Sequence, residues 1–468
     1  MRILHAASEV YPLISTGGLS SVVGALPEAL NRTDGVHASV IIPYYGDIKS
    51  DSNEFGIEWL STQKTFLGES FGLARAETAG VTVFLVARDE YFQRKGIYGP
   101  TPDSSWDDNA ARFSFFSRAV ASLSSIDGFV PDIIHCHDWQ TSLIPVYLRE
   151  LDTATVLTIH NLQFQGRYPH SDYAATFLPE TLYNIDGIEF WGDWNSLKGG
   201  ITFADRITTV SPTYASEIKT PEFGCALDGV LREHSHKLTG ILNGIDPLLW
   251  NPATDEEILS NYSPGNMGGK AVCKKRLCSE LGLKQSEEAP LLGMVTRLTS
   301  QKGIDLVITC MDRLMEMNLS LAILGTGELW AEQALLDAAE RYPDCISVTI
   351  AYDDSRARRI FAGADAFLMP SVFEPCGLGQ MMAMRYGTVP LVRSVGGLAD
   401  SVTGEIGFSF SDGNDEFIKA MKELLESWRN RRRWAWYRRR CMSTDFSWDN
   451  RVNEYMEVYR KALGGKNR

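Results

Sequence analysis

Leu291-Leu292-Gly293-Met294-Val295-Thr296-Arg297-Leu298-Thr299-Ser300-Gln301-Lys302-Gly303 reads as an apolar strand running into a polar turn that closes on glycine before a helix. A short aliphatic run, a turn and a helical pattern make one βα unit, and chains built of such units stack their strands into a parallel sheet. This unit opens a series of predicted strands at Leu291–Val295, Ser320–Leu324, Ile346–Ile350, Ala366–Met369 and Val389–Val392. An earlier series runs through Ile3–Ala7, Ala38–Pro43, Thr82–Ala87, Asp132–His135, Thr155–His160 and Arg206–Val210. Between the two lies Leu242–Glu287, rich in Asn, Pro, Gly and charge, with Asn243-Gly244 and Pro264-Gly265 as turn signals. The expected fold is therefore α/β, with two doubly wound parallel sheets joined in that segment. Such sheets bind ligands at the carboxyl ends of their strands, so two of them are expected to face each other across a cleft. Phe417, Met421, Leu424, Leu425 and Trp428 recur at helical spacing, and Phe446–Leu463 offers a final helix.

The chain of 468 residues is too long for one ordinary domain, and 44% apolar with 10% aromatic residues is enough to build sizeable cores. Disordered and fibrous classes are excluded. With 45 Lys+Arg against 59 Asp+Glu the net charge is −14, a field that repels nucleic acids and anionic membranes. No apolar run reaches the ~18 residues of a spanning helix. Met1–Ser15 lacks the basic cluster and cleavage pattern of a secretory leader, so a cytoplasmic enzyme is expected. The 8 cysteines contain no C-x-x-C pair, which points to reduced, buried thiols and not to a disulfide framework or zinc ribbon.

The chemistry-bearing motifs gather at strand ends. Ser15-Thr16-Gly17-Gly18 leads into a helical pattern, and adjacent glycines there let backbone N–H groups approach an anion; a plain strand-to-helix turn reads the same way. Gly325-Thr326-Gly327 is a similar hint in the second half. Arg297 and Lys302 could grip a diphosphate, Arg as a fork and Lys as a point charge, or could be surface ion-pair partners. In Phe373-Glu374-Pro375-Cys376-Gly377-Leu378, Pro375 and Gly377 turn the chain into a helix and leave Glu374 at the mouth of the cleft or as that helix's cap. His135 and His137 share one face of a strand and could ligate a metal, but no third ligand is apparent from spacing; with His160 they more plainly form a polar or catalytic edge. His234 and His236 read as loop residues. The run from Arg429 to Arg440 interleaves arginine with Trp434, Trp436 and Tyr437, and could serve nucleic acid, an anionic surface or sugar rings; a helix end with its aromatics packed inward is the simpler reading.

Taken in order, Gly17-Gly18-Leu19, His135–Trp139, His160-Asn161-Leu162, Gln165-Gly166, Asn243-Gly244-Ile245-Asp246, Arg297–Gly303, Phe373–Leu378 and Gly396–Asp400 resemble the bacterial glycogen synthase and plant starch synthase family over essentially the whole chain. The resemblance implies a GT-B glycosyltransferase with two Rossmann-like domains, at residues 1–242 and 243–445, and a last segment, 446–468, crossing back onto the first. It implies retaining transfer of glucose from ADP-glucose to the non-reducing 4-OH of an α-1,4-glucan, with no metal and no other cofactor. Arg297 and Lys302 would hold the diphosphate, Glu374 the sugar and its oxocarbenium-like centre, and His160 and Asp138 would line the sugar site. Tyr352 would stack on the base. Asn161, Asn243 and the Cys376, Gly377 and Leu378 amides would complete the donor pocket, with Ser15, Thr16, Gly17 and Gly18 beside the phosphates. Closure of the two domains on the donor is expected as well. No oligomeric state or effector is implied.

The chain departs from the family where Lys-x-Gly-Gly-Leu-x-Asp is usual: Ser15 stands for the lysine and Ser21 for the aspartate. Losing a charge-assisted contact there is worth on the order of 1.5–3 kcal/mol. Gln140 also replaces a common histidine. An active ADP-glucose enzyme with compensating groups, one using another nucleotide sugar, and a weakly active paralogue that regulates a true synthase all fit these changes. A dehydrogenase does not, because no G-x-G-x-x-G opens the first βα unit.

Overall fold

A computed structural model describes the chain apart from residues 51–54, 102–103, 124–125, 285–288 and 467–468, and apart from the side chains of 49–50. The end of the expected junction, 285–287, and the last two residues of the expected terminal segment lie outside the described residues. The chain divides into two compact units, Met1–Asn243 with Trp448–Arg468, and Gly244–Ser447. No helix among the described residues is long and apolar enough to cross a membrane.

The strands of the first unit are β1 (Arg2–Ala6), β2 (His37–Pro43), β3 (Glu58–Lys64), β4 (Ser70–Thr78), β5 (Val81–Ala87), β6 (Ile133–His137), β7 (Ala154–Ile159), β8 (Arg167–Pro169), β9 (Glu189–Phe190), β10 (Asp193–Asn195), β11 (Arg206–Thr209) and β12 (Leu238–Gly240). Nine of them form one sheet in the order β12-β11-β7-β6-β1-β2-β5-β4-β3, and β8, β10 and β9 form a small separate one. The buried runs predicted from sequence are the parallel centre of the large sheet. β3 and β4 were not foreseen; they extend the sheet antiparallel from β5. β3 is an edge strand exposed along much of its length, so it carries no apolar run to read. The chain leaves β1 toward β2 and returns on its other side at β6, which makes the β1/β6 boundary the switch point of the sheet.

The second unit holds β13 (Leu291–Val295), β14 (Ser320–Gly325), β15 (Ile346–Ile350), β16 (Ala366–Met369), β17 (Val389–Arg393) and β18 (Phe408–Phe410), all parallel, in the order β15-β14-β13-β16-β17-β18. That is the dinucleotide-fold order, with its switch point between β13 and β16. The polar segment expected to be only a junction contains a helix, Gly268–Glu280. Its Lys270 is buried, and Nζ donates to the carbonyls of Phe361, Ala362 and Tyr386 at 3.3, 3.0 and 2.9 Å and to Thr388 Oγ1 at 2.7 Å. Burial lowers that amine to about 7. A lysine used as an internal tie breaks the apolar periodicity by which such a helix would be recognised.

The helix Asn414–Arg429 buries Phe417, Met421, Leu424 and Leu425, and the arginine-rich run forms its own helix, Arg431–Ser443. Trp434 and Tyr437 face inward, whereas Trp436 is exposed. The last helix, Asp449–Lys466, belongs to the first unit. Its Val452, Tyr455, Met456 and Tyr459 share a core with Ile3, Val22, Leu26 and Val156, which places it over the same sheet as the helix Gly18–Asn31.

Candidate active site

In the first unit the loops leaving β1 and β6 meet the end of β7. The helix Gly18–Asn31 starts at an exposed turn whose N-cap, Gly17, is extended and makes no side-chain cap. A Cβ on Gly17 or Gly18 would meet nothing within 4 Å. The glycines are therefore not needed for backbone strain here; they leave bare amides in open space at the positive end of a helix dipole. Ser15, Thr16, Gly18 and Ser21 are exposed as well. Ser15 Oγ is tied to Ser20 Oγ at 2.6 Å, and Ser20 Oγ donates to the Gly17 carbonyl at 2.7 Å.

Beneath this loop lies a carboxyl that sequence reasoning missed. Glu9 is buried, its Oε2 accepting from Thr16 N at 2.5 Å and Thr16 Oγ1 at 2.9 Å, and Tyr98 OH lies 3.4 Å from its Oε1. Burial raises it to about 7 against those hydrogen bonds. Only its place just past β1 could have marked it in the sequence. Asp138, also buried, sits in the left-handed region at φ 56°, a strained conformation for a non-glycine residue. Its Oδ1 accepts from the His160 amide at 2.7 Å, so the end of β6 is tied to the end of β7. Burial lifts this carboxyl to about 7 against the bonds it receives from the His160 and Asn161 amides, and Glu9 pushes it the same way.

Asn161 is half-buried, with Oδ1 accepting from the Gln163 amide at 3.0 Å. Asn243 is buried, and its Oδ1 has no hydrogen-bond partner among the described residues. Gln140 is buried too, with Oε1 likewise unpaired.

The third histidine that spacing could not supply comes from β1. His5, His135 and His137 offer ring nitrogens within 4.8 Å of one another. The rings of His135 and His137 stack at an interplanar angle of 26°, and both His135 nitrogens are engaged, with Tyr459 OH at 2.9 Å and Thr158 Oγ1 at 2.6 Å. Stacked rings with committed nitrogens make a hydrogen-bonded cluster, not three lone pairs converging on one ion. His234 and His236 lie apart, at the end of the helix Asp228–Glu233 and in the turn Ser235–Lys237.

In the second unit the loops leaving β13 and β16 come together at the switch point. Lys302 Nζ lies 2.6 Å from Glu374 Oε2, with side chains 14% and 8% exposed, and Ser371 Oγ donates to the same oxygen at 3.0 Å. Glu374 is therefore not the cap of the following helix, Gly379–Arg385, which has no side-chain cap. Arg297 is exposed and reaches Gln301 Oε1 at 3.3 Å. Three close approaches hold these loops. A Cβ on Gly303 would lie 2.2 Å from the Pro370 carbonyl, one on Gly397 2.3 Å from the Cys376 carbonyl, and one on Gly327 2.2 Å from the Leu298 carbonyl. Gly325 and Gly327 thus serve the packing of the Arg297 loop, which accounts for the Gly325-Thr326-Gly327 pattern without a ligand. Cys376 is buried, Gly377 takes φ 72°, and Leu378 is half-buried at the N-cap. Tyr352, just past β15, is 87% exposed.

Each unit thus presents, at its own switch point, a polar cluster with an anion-seeking edge. Residues 2–233 match the family described as starch synthase catalytic domain, and 282–440 match glycosyl transferases group 1. The chain is 44% identical over 482 residues to glycogen synthase 2 of Geobacter sulfurreducens, covering 99% of both chains. It is 42% identical over 489 residues to glycogen synthase of Thermotoga maritima, again with 99% of both covered. The catalytic domain of starch synthase IV from Arabidopsis thaliana, solved with ADP and acarbose, superposes with a TM-score of 0.88 at 31% identity over 99% of each chain.

Proposed function

The chain belongs to the glycogen synthase and starch synthase family of GT-B glycosyltransferases, and on that footing we propose that it lengthens α-1,4-glucans with glucose taken from ADP-glucose. Glycogen or starch synthesis by retaining hexosyl transfer comes with the family. ADP as the carrier is our reading, supported by the ADP bound to the Arabidopsis relative.

The observation that carries the residue roles is the Lys302–Glu374 pair at the switch point of the second sheet. As the bond from glucose C1 to the diphosphate oxygen breaks, its electron pair stays on the diphosphate and C1 becomes electron-poor. Fixed cations beside the first and a fixed carboxylate beside the second lower the barrier, because their charges are already oriented before the bond breaks. We assign the diphosphate to Lys302 and Arg297, without a divalent ion, and the sugar to Glu374. An ammonium has three donors, so Lys302 can hold Glu374 and a phosphate oxygen together. The open amides at Gly17-Gly18, with Ser15 and Thr16, are assigned to the phosphates, and His160 and Asp138 to the sugar. Asn161, Asn243, Tyr352, Cys376, Gly377 and Leu378 are assigned to the rest of the donor. A cytoplasmic location is part of the same proposal.

One observation favours a second reading: the Ser15–Ser21 loop offers hydroxyls and amides but no charged side chain. That would suit a different nucleotide sugar, or a glucan-binding partner of another synthase. Glucose transfer to glycogen or maltooligosaccharide, with ADP-, UDP- and GDP-glucose compared side by side, separates these readings. Turnover mainly with ADP-glucose is expected; turnover with another donor alone, or glucan binding without turnover, would replace the proposal. Lys302→Ala and Glu374→Ala should each cut turnover by orders of magnitude, and normal rates in both would remove the site assignment.

A further inference from the structure

β1, β6 and β7 bring four histidines into one stack, with His5 in register with His135 and His137 in register with Thr158. Ring centroids are 4.8 Å apart for His5 and His135, 4.3 Å for His135 and His137, and 5.2 Å for His137 and His160. Three of the rings are also joined nitrogen to nitrogen. His5 Nδ1 lies 3.0 Å from His137 Nε2, and His137 Nδ1 lies 2.9 Å from His160 Nε2. His135 stands beside this file, its nitrogens held by Tyr459 and Thr158. Burial keeps the rings neutral: His5 and His160 are lowered to about 3, and His135 and His137 well below their usual value.

A neutral imidazole has one N–H and one lone pair, so each nitrogen-to-nitrogen contact holds a single proton and the file must point one way or the other. If His5 donates, His137 and His160 donate in turn, and all three carry their proton on Nδ1. In the opposite sense all three carry it on Nε2. The far end of the file decides between them. His5 Nε2 is buried with no hydrogen-bond partner among the described residues. A proton there would be an orphaned buried donor, which is rarer and costlier than an unused lone pair.

We propose that His5 and His137 are positioning residues which hold His160 as the neutral Nδ1–H tautomer and so present a hydrogen-bond donor to an oxygen of the bound sugar. His160 is the half-buried end of the file, and its Nδ1 has no partner among the described residues. Without the file the ring could present either a donor or an acceptor; with it, only a donor. The donor role rests on the glucosyltransferase reading, whereas the tautomers do not.

Tautomers are read, not assumed, by long-range ¹⁵N–¹H correlation on the full chain labelled at histidine, with single-histidine variants for assignment. His5, His137 and His160 should each show a protonated Nδ1 and a bare Nε2; protonated Nε2 on His160 would overturn the proposal. The second arm compares His137→Leu with His137→Asn, whose amide can donate from near the original Nδ1. The leucine variant should lose about tenfold in kcat/KM and the asparagine variant should recover most of it. Full activity with leucine, or equal loss in both, would overturn the positioning role. The expected tautomers in a protein that transfers no glucose would refute the glucosyltransferase reading, and the donor role with it, but not the polarity of the file. The opposite tautomers in an active enzyme would refute the file alone.

Discussion

Glu9 and Asp138 are buried acids that burial raises to about 7, well above the carboxylate range they regain on unfolding. Between about pH 4 and 7 these two carboxyls therefore bind more protons in the folded chain than in the unfolded one, so their own contribution to stability falls as pH rises through that window and levels off above it. Glu9→Gln keeps an acceptor for the Thr16 amide and removes the charge. Its Tm should match wild type near pH 5 and exceed it at pH 8; equal differences at both would show that Glu9 ionises freely in the fold. At the neighbouring position, Ser15→Lys should tighten ADP-glucose binding about tenfold or more by restoring a charge-assisted contact, read as a lower donor KM. An unchanged KM would mean that the loop takes another path to the phosphates. Ser15, Arg297, Lys302 and Glu374 were legible in the sequence because turn glycines and strand ends flag them. Glu9 and His5 were not: each sits within or just past an ordinary apolar strand, and what distinguishes it comes from other segments, Tyr98 and Thr16 for Glu9, and His137 for His5.

Elements built from an apolar run and a turn were recovered from sequence, since burial on both faces leaves a continuous aliphatic signature. β3 escaped because an exposed edge strand is held by its neighbour's backbone, and the helix Gly268–Glu280 because a lysine is one of its buried ties. Gly303 marks an element boundary beside the proposed diphosphate site. It joins the Lys302 turn to the next helix at φ 71°, with the Pro370 carbonyl where a side chain would go. Gly303→Ala should lose a few kcal/mol of stability from left-handed strain and that clash, and lower kcat by displacing Lys302. Gly265→Ala, where a Cβ would meet nothing within 4 Å, is the matched control and should leave both nearly unchanged. Thermal unfolding and steady-state rates on the pair decide it, and a neutral Gly303→Ala would mean that the turn relaxes.

The molecule's first unit is closed by residues from the far end of the chain. Trp448, Val452, Tyr455, Met456, Val458 and Tyr459 are all buried in its core. At roughly 1.5–3 kcal/mol each, their burial is worth on the order of 10 kcal/mol, comparable with the whole stability of a domain. A chain ending at Ser447 should therefore unfold in the first unit while the second keeps its protection, which hydrogen exchange resolves unit by unit; retained protection in β1, β6 and β7 would show that the last helix is dispensable. The sequence by itself determined the parallel strands of the two sheets, the strand ends that carry the polar motifs, and the likeness to a glucan synthase, because these are written in local periodicity and in short contiguous motifs. Only the tertiary structure decided that Lys302 meets Glu374, that His5 meets His137 and that the last helix completes the first core. These pairings join residues separated by 72, 132 and several hundred positions, and strand order and register, which no local stretch encodes, bring them within bonding distance.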